Sequence, residues 1–125
     1  MTDTQQNDGP PFLADLADDA VLTGTILARP LKGKDVIRQV IRSIASCFVL
    51  QSMSGHAVDG GIETIEYDAE LELGGAIHGS VTVTRRAEGK VVAINGRHSP
   101  QVAAAKLAMV LRTKLAVSLT PDPFI

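Results

Sequence analysis

The most constraining feature of the sequence is an alternating segment, Ile62 to Leu73 (IETIEYDAELEL). Successive side chains of a β-strand point to opposite faces of a sheet, so this pattern predicts a strand with one buried and one hydrated face. Burying an unpaired carboxylate costs several kcal/mol, which places the acidic positions in water. The expected outer set is Glu66, Asp68, Glu70 and Glu72, and the expected inner set is Tyr67, Ala69, Leu71 and Leu73.

Glycine-containing turns join this strand to its neighbours. We expect strands at Phe48 to Val58, Ile77 to Arg85 and Val91 to His98, with turns at residues 59–61, 74–75 and 88–89. Such strands predict an antiparallel meander. For the apolar sets to share one face, Leu73 must lie opposite Ile77 across a three-residue loop, 74–76. The inner positions expected in the neighbours are Ile77, Gly79, Val81 and Val83, then Val92, Ile94, Gly96 and His98, and, in the preceding strand, Gln51, Met53 and Gly55.

Two amphipathic helices are available to cover the apolar face. Lys34 to Cys47 carries apolar residues at helical spacing. A second helix is predicted from Ser99 as N-cap, with Pro100 at the first helical position. Its expected apolar stripe is Val102, Ala103, Leu107, Val110 and Leu111. Earlier in the chain we expect a helical turn at Phe12 to Leu16, a strand at Ala20 to Ala28 and a turn at Lys32 to Lys34.

Length and composition limit the classes of function. The chain has 125 residues, the size of one domain, which we place at residues 12–118 between a flexible N-terminal tail (1–11) and a C-terminal tail (119–125). A net charge of −2 argues against nucleic-acid binding. The polar start is unlike a signal peptide and no apolar run is long enough to span a membrane. We therefore expect a soluble cytoplasmic protein that binds neither nucleic acid nor membranes.

Cysteine and histidine usage predicts no cofactor and no metal site. The single cysteine, Cys47, cannot form an intramolecular disulfide and is expected to be a small buried side chain. His56, His78 and His98 do not have the spacing of metal ligands, and the assigned faces place His78 and His98 on opposite sides of the sheet. Glycine pairs occur in hairpin turns and do not open helices, so no phosphate-binding loop is predicted.

Several short motifs, spread between Leu16 and Leu115, occur in a recognisable order. They are Leu16-Ala17-Asp18-Asp19-Ala20-Val21, Arg29-Pro30-Leu31-Lys32-Gly33-Lys34-Asp35-Val36, Gly79, Glu88-Gly89-Lys90-Val91 and Arg97-His98-Ser99-Pro100. Together they resemble SnoaL-like members of the nuclear transport factor 2-like superfamily, which includes ketosteroid isomerase-like proteins. The resemblance implies an α+β fold, a cystatin-like cone. In it a curved antiparallel sheet of four or five strands wraps on a central helix, with a C-terminal helix packed on it.

The resemblance also implies what a catalytic member would need. Such members often carry an acidic residue in the cavity as a base, and the inner positions assigned above include no Asp or Glu. Asp18-Asp19 could supply that base, since adjacent acids can raise one another's pKa, or could simply sit at a turn or cap. Sheets in this superfamily often dimerise. The acidic row beside His78, Thr82 and Arg97 is accordingly either the surface of a homodimer or a solvated face.

Six inner residues form the candidate pocket: Tyr67, His98, Gln51, Met53, Val81 and Ile94. Tyr67 could donate a hydrogen bond to a ligand carbonyl, and His98 could act as an acid or base; either could instead be an ordinary core residue. We therefore consider three functions. The first is binding of a small apolar molecule between sheet and helices, and the second is a lyase, isomerase or cyclase that acts on a carbonyl compound through His98 and Tyr67. The third is a dimerisation module with a filled core.

Overall fold

The computed structural model describes residues 10–116, 118–119 and 122–125. Residues 1–9 of the predicted N-terminal tail and residues 120–121 of the predicted C-terminal tail lie outside this description. In chain order the elements are a short 3-10 helix Pro11–Asp15, β1 Leu16–Gly24, β2 Leu31–Lys32, α1 Lys34–Ser46, β3 Phe48–Asp59, β4 Ile62–Leu71, β5 Ala76–Arg85, β6 Val91–Ser99 and α2 Gln101–Lys114. Among these residues no helix is both long enough and apolar enough to cross a membrane.

The strands form one curved, open sheet in the order β2-β1-β6-β5-β4-β3. Strands β3 to β6 form the predicted antiparallel meander. Strand β1, however, pairs with β6 in parallel, and the sheet has six strands where an antiparallel sheet of four or five was expected. A parallel pair requires a long crossover, which α1 and the first strands of the meander supply.

The buried face of β4 and β5 is largely the predicted one. Tyr67, Ala69 and Leu71 are buried, as are Ile77 and Val83. The hairpin register was wrong, because Ala69 rather than Leu73 lies opposite Ile77 and the connecting loop runs over residues 72–75. The register error is four residues, an even number, so the residues of β4 and β5 keep their predicted faces. Leu73 itself lies beyond the end of β4 and is 62% exposed.

The sheet has β-bulges at Val49 and Ser54 in β3 and at Val92 in β6, and the last two change the predicted inner face. An extra residue between Met53 and Gly55 places Gly55 opposite Glu66 on the outer face, where Gly55 had been expected inside, and brings His56 opposite Ile65 on the inner face. A second irregularity, near the start of β6, buries Val91 in place of Val92. A period-2 pattern does not anticipate such insertions.

Both longer helices pack on the inner face, and their best-buried side chains are Ile37, Val40, Leu107 and Leu111. Helix α1 spans the predicted residues to within one position. The predicted cap of α2 was wrong, because Ser99 is the last residue of β6 and Pro100 is the cap, without a side-chain hydrogen bond. Val102 is also exposed, since the small Ala104 and Ala108 occupy the buried stripe and let α2 approach the sheet closely.

The N-terminal elements are displaced from the predicted positions. The 3-10 helix begins one residue before the expected helical turn. Strand β1 begins and ends four residues earlier than the predicted strand Ala20 to Ala28, and its pairing with β6 is irregular between Leu16 and Val21. The predicted turn at Lys32 to Lys34 is partly strand, since β2 pairs with β1 before Gly33 (φ 105°) starts α1.

Candidate functional site

A pocket of about 660 Å³ lies between the inner face of the sheet, α1 and the segment around the 3-10 helix. All six candidate residues line it: Gln51, Met53, Tyr67, Val81, Ile94 and His98. Ile94 is fully buried in its wall, whereas Met53 is 64% exposed, which places Met53 at the opening. The volume is many times that of a water molecule, so the filled core of the third hypothesis is not what the structure contains.

The polar part of the pocket is a hydrogen-bonded pair, Tyr67 and His98. Their residues lie on β4 and β6, with Gly79 of β5 directly between them in the same row of the sheet. The hydroxyl oxygen of Tyr67 is 2.8 Å from Nε2 of His98. The ring of Tyr67 crosses β5 where a Cβ atom on Gly79 would collide with it. The missing side chain at Gly79 is therefore what allows the two polar groups to meet.

Neighbouring groups hold this pair in place. The ring centroid of Phe48 is 5.7 Å from that of Tyr67 at a tilted angle, and the Tyr67 and His98 rings meet edge to face at 6.1 Å. The backbone N–H of His98 donates to Oγ1 of Thr25 over 3.2 Å. Nδ1 of His98 is buried and has no hydrogen-bond partner among the described residues. The pair is thus held by several contacts, with one hydrogen-bonding atom, Nδ1 of His98, left without a partner among the described residues.

Burial keeps both members of the pair uncharged. Desolvation lowers the pKa of His98 to about 4, with a smaller contribution from the charge of His78. Desolvation also raises the pKa of Tyr67, so its hydroxyl keeps its proton. At neutral pH the site therefore offers a neutral imidazole and a neutral phenol. Either Tyr67 donates to Nε2, or Nε2–H donates to the Tyr67 oxygen and leaves the phenolic O–H free for another acceptor.

Asp18 and Asp19 do not supply a base to this pocket. Both residues belong to β1 rather than to a turn or cap, and neither lines the pocket. Asp18 forms an ion pair with Lys34 (3.0 Å), which lowers the pKa of its carboxyl group. Asp19 pairs with Arg86 at 3.1 Å. No Asp or Glu lines the pocket among the described residues.

One carboxylate on the inner side of the sheet was missed by the sequence analysis. Glu63 is on the same face of β4 as Tyr67, two rows away, and its side chain is only 20% exposed. Its carboxylate is 2.6 Å from Nε2 of His56, and its other oxygen is 3.7 Å from Arg85. The bulge in β3 turns His56 toward it, and no signal in the alternation marks that bulge. This pair lies outside the pocket lining.

The outer face carries a second polar cluster around His78. Its Nδ1 is 2.9 Å from Asp68 and its Nε2 is 2.9 Å from Glu66, which also accepts from the Ser80 hydroxyl at 3.2 Å. Hydrogen bonds to Asp68 and Glu66 raise the pKa of His78. The predicted outer position of Asp68, Glu70 and Glu72 is confirmed, since all three are exposed.

The order Asp68, His78 and Ser99 across three strands is similar to that of a hydrolytic triad, but its geometry differs. Both ring nitrogens of His78 already contact carboxylates, and its pKa is raised. Because carboxylates already engage both ring nitrogens, His78 has no free nitrogen to accept a proton from Ser99. Elsewhere, Cys47 is buried as expected, and burial raises the pKa of its thiol, which makes it a poor nucleophile. The described residues contain no cluster of three or more His, Cys, Asp or Glu that could hold a metal ion.

Comparison with known proteins identifies solved structures that have a similar fold. No protein-family model matches the chain, and no curated protein matches it significantly in sequence. A solved structure of an uncharacterised protein with a cystatin-like fold from Silicibacter pomeroyi has a TM-score of 0.81 and 14% identity, covering 90% of this chain and 81% of that one. A steroid delta-isomerase from Pseudomonas aeruginosa has a TM-score of 0.79 and 18% identity, covering 90% and 82%. An NTF2-like protein of unknown function from Mesorhizobium loti has a TM-score of 0.65 and 19% identity, covering 77% and 81%.

The chain thus has the cystatin-like α+β fold found in nuclear transport factor 2-like, SnoaL-like and ketosteroid isomerase-like proteins. The predicted fold class and the resemblance noted from the sequence are confirmed. At identities of 12–19% these likenesses establish the fold and leave the activity to be argued from the pocket.

Proposed function

We propose that this protein binds a small, largely apolar molecule in the pocket, with the Tyr67 hydroxyl as its polar anchor. The observation that carries the proposal is a cavity of about 660 Å³ with the Tyr67–His98 pair in an otherwise mostly apolar wall. Ligand pockets of roughly 300–1,000 Å³ with a few convergent polar groups are typical of small-molecule sites. The aliphatic wall favours burial of hydrocarbon, and the single polar pair orients the ligand.

The first experiment measures binding of Nile red, an uncharged apolar dye that fluoresces in apolar surroundings. Ala45 of α1 lines the pocket, so Ala45→Trp fills the cavity without removing a core side chain. Ala105→Trp places the same ring on the exposed side of α2 and is the matched control. The chain contains no Trp of its own, so the emission of each new indole reports its surroundings.

We expect saturable dye binding by the parent protein and by Ala105→Trp, and at least tenfold weaker binding by Ala45→Trp. Absence of saturable binding by the parent protein would refute the proposal. Equal binding by the Ala45→Trp variant, with a buried indole emission, would place the dye elsewhere and would also count against the pocket.

A second candidate function is catalysis of proton transfer on a carbonyl compound, and the shared pocket of Tyr67 and His98 favours it. A ligand that separates the pair would let the Tyr67 hydroxyl polarise the carbonyl oxygen, while the freed Nε2 of His98 takes a proton from the adjacent carbon. Proton abstraction is most effective when the pKa of the base lies near the working pH, and that of His98 is about 4. Binding is therefore the better supported of the two functions.

Deuterium exchange distinguishes these functions. Incubation of cyclooctanone with the protein in deuterated buffer is followed by proton NMR of the carbons next to the carbonyl. An enzyme accelerates exchange above the buffer rate, and His98→Leu abolishes the acceleration. If the ketone binds but its exchange is no faster than in buffer alone, the protein binds the ketone without catalysing proton transfer.

We also propose a second copy of this chain as the partner of the outer sheet face. In support, Arg97 on β6 is exposed and Glu70 on β4 is exposed, and neither forms an ion pair among the described residues. The residues between them are polar and already hydrogen-bonded to one another: His78, Asp68, Glu66 and Ser80. Sedimentation velocity tests this directly: a dimer that Arg97→Glu weakens supports the proposal, and a monomer at all concentrations refutes it.

A further inference from the structure

We infer that the pocket selects uncharged molecules and disfavours ligands that must bury a carboxylate or an ammonium group. This inference rests on the proposed function and adds the chemical class of the ligand. Three observations support it. The described lining has no charged side chain, the Tyr67–His98 pair is uncharged, and two nearby cations already form ion pairs outside the pocket.

The described residues that line the pocket offer no charged side chain to a ligand. The chain has 12 Lys and Arg residues, and none of them lines the cavity. The polar side chains in the lining are Thr23, Gln51, Tyr67 and His98. The sequence outside the described ranges, residues 1–9, 117 and 120–121, contains no Lys or Arg, so no basic side chain from there can supply the charge.

The polar pair cannot supply that charge either. Burial disfavours the imidazolium form of His98 and the phenolate form of Tyr67. A carboxylate beside the pair would lose its hydration and meet only neutral donors, which leaves its charge uncompensated. Burying a carbonyl or hydroxyl oxygen costs much less free energy, because one hydrogen bond with the Tyr67 hydroxyl replaces the hydrogen bond to water that is lost.

Two cations on neighbouring elements are occupied by carboxylates outside the pocket. Lys34 at the start of α1 is 3.0 Å from Asp18, and Arg85 at the end of β5 is 2.9 Å from Asp15 of the 3-10 helix. Recruiting either cation for a ligand would break an existing ion pair and expose its partner. An acidic ligand therefore gains a counter-ion from Lys34 or Arg85 only at the cost of an existing ion pair.

The test compares four ligands that share one ring: cyclooctanone, cyclooctanol, cyclooctanecarboxylate and cyclooctylamine. Each is titrated into the full chain at pH 7 and followed by NMR chemical shifts, with Nile red binding as the independent measure of an intact pocket. We expect the ketone and the alcohol to bind at least tenfold more tightly than the acid and the amine. We also expect Tyr67→Phe to weaken the neutral ligands and to leave the acid unchanged.

A gain-of-binding pair sharpens the test. Gln51→Lys adds an ammonium group to the pocket wall, and Ser52→Lys adds the same charge one residue further on, opposite Asp68 on the outer face. Gln51→Lys is expected to improve binding of cyclooctanecarboxylate at least fivefold, and Ser52→Lys to leave it unchanged. Both positions are exposed, so neither substitution disturbs the core.

The outcomes separate the inference from the function on which it rests. Equal affinity for all four ligands, with Nile red still bound, overturns the charge selectivity and leaves the apolar pocket standing. The charge selectivity is also overturned if Ser52→Lys improves binding of the acid as much as Gln51→Lys does. Failure of both Nile red and the neutral ring ligands to bind overturns the proposed function and the inference together.

Discussion

His78 and His98 lie on neighbouring strands and face opposite sides of one sheet, and the sheet gives them opposite chemistry. His78 is held by two carboxylates at 2.9 Å in a solvated setting, which raises its pKa. His98 is buried against a neutral phenol, which lowers its pKa to about 4. The same side chain is therefore a favoured cation on the outer face and a neutral hydrogen-bonding group on the inner face. Burial and the charge of the partner decide the difference.

The largest effect is expected from Gly79→Ala, which separates the inner pair. The new methyl group would occupy the space of the Tyr67 ring, so the ring must leave its position above β5 and release His98. Overpacking together with an unpaired buried nitrogen predicts a loss of about 3–4 kcal/mol in the free energy of unfolding. Urea denaturation measures it, and Gly55→Ala, where the added atom makes ordinary contacts of 3.4 Å with Glu66, is the control.

The next largest effect is the pH dependence that His98 imposes. Its pKa is about 4 when folded and 6.5 for a fully hydrated histidine in the unfolded chain, so between these values the unfolded chain binds more protons than the folded chain. The folded state should therefore lose stability as the pH falls from 6.5 to 4, by at most roughly 3 kcal/mol from this residue. Urea denaturation at several pH values should show that His98→Leu flattens this decline. An unchanged slope in the variant would show that His98 is not the group responsible.

A smaller effect is expected from the hydrogen bond within the inner pair. Tyr67→Phe leaves Nε2 of His98 buried without a partner, which should cost about 1–2 kcal/mol. The same substitution in a His98→Leu background should cost close to nothing, because no imidazole then remains unpaired. A double-mutant cycle in thermal or urea denaturation gives the coupling. Additive costs would mean that the two groups do not interact.

The smallest effect is expected on the outer face. The pKa of His78 is raised, so its contribution to stability is complete below pH 6.5 and declines as the pH rises through its folded pKa. His78→Gln should remove that decline above pH 6.5 and leave the acid side unchanged, with a small amplitude because the cluster is solvated. Asp68→Asn should weaken the same decline. A change in stability confined to the acid side would contradict this prediction, because it would mean that the pKa of His78 is lowered rather than raised.

The alternation of β4 and β5 was sufficient to predict the two faces of the sheet. Each acidic residue from Glu66 to Glu72 had to face water. This assignment of faces was correct although the predicted hairpin register was wrong by four residues. The alternation of β4 and β6 also placed Tyr67 and His98 on the same face of the sheet. Gly79, in the interior of a strand, was the available signal that a side chain crosses β5 at that row.

The remaining features depend on contacts that a local pattern does not record. The parallel pairing of β1 with β6 joins segments about 70 residues apart, such as Leu22 and Ile94, and is decided by packing around α1. The exchange of Val92 for Val91 and the outward turn of Gly55 result from bulges, which change the facing of residues before the bulge in β6 and after the bulge in β3. Glu63 lies at an odd position of the unbroken alternation of β4, so that pattern already marked it as inward; only its partner His56 depended on the bulge.

The bulges in β3 have a consequence for how the protein behaves in concentrated solution. β3 is the last strand of the sheet, and it exposes Val49, Leu50, Met53 and Val58 without a Lys, Arg or Pro to discourage a neighbour. A straight edge of this kind would act as a template for strand addition and aggregation. The extra residues at Val49 and Ser54 break the even spacing of its free backbone groups. Deleting Ser54 would regularise the strand and remove part of the protection against aggregation.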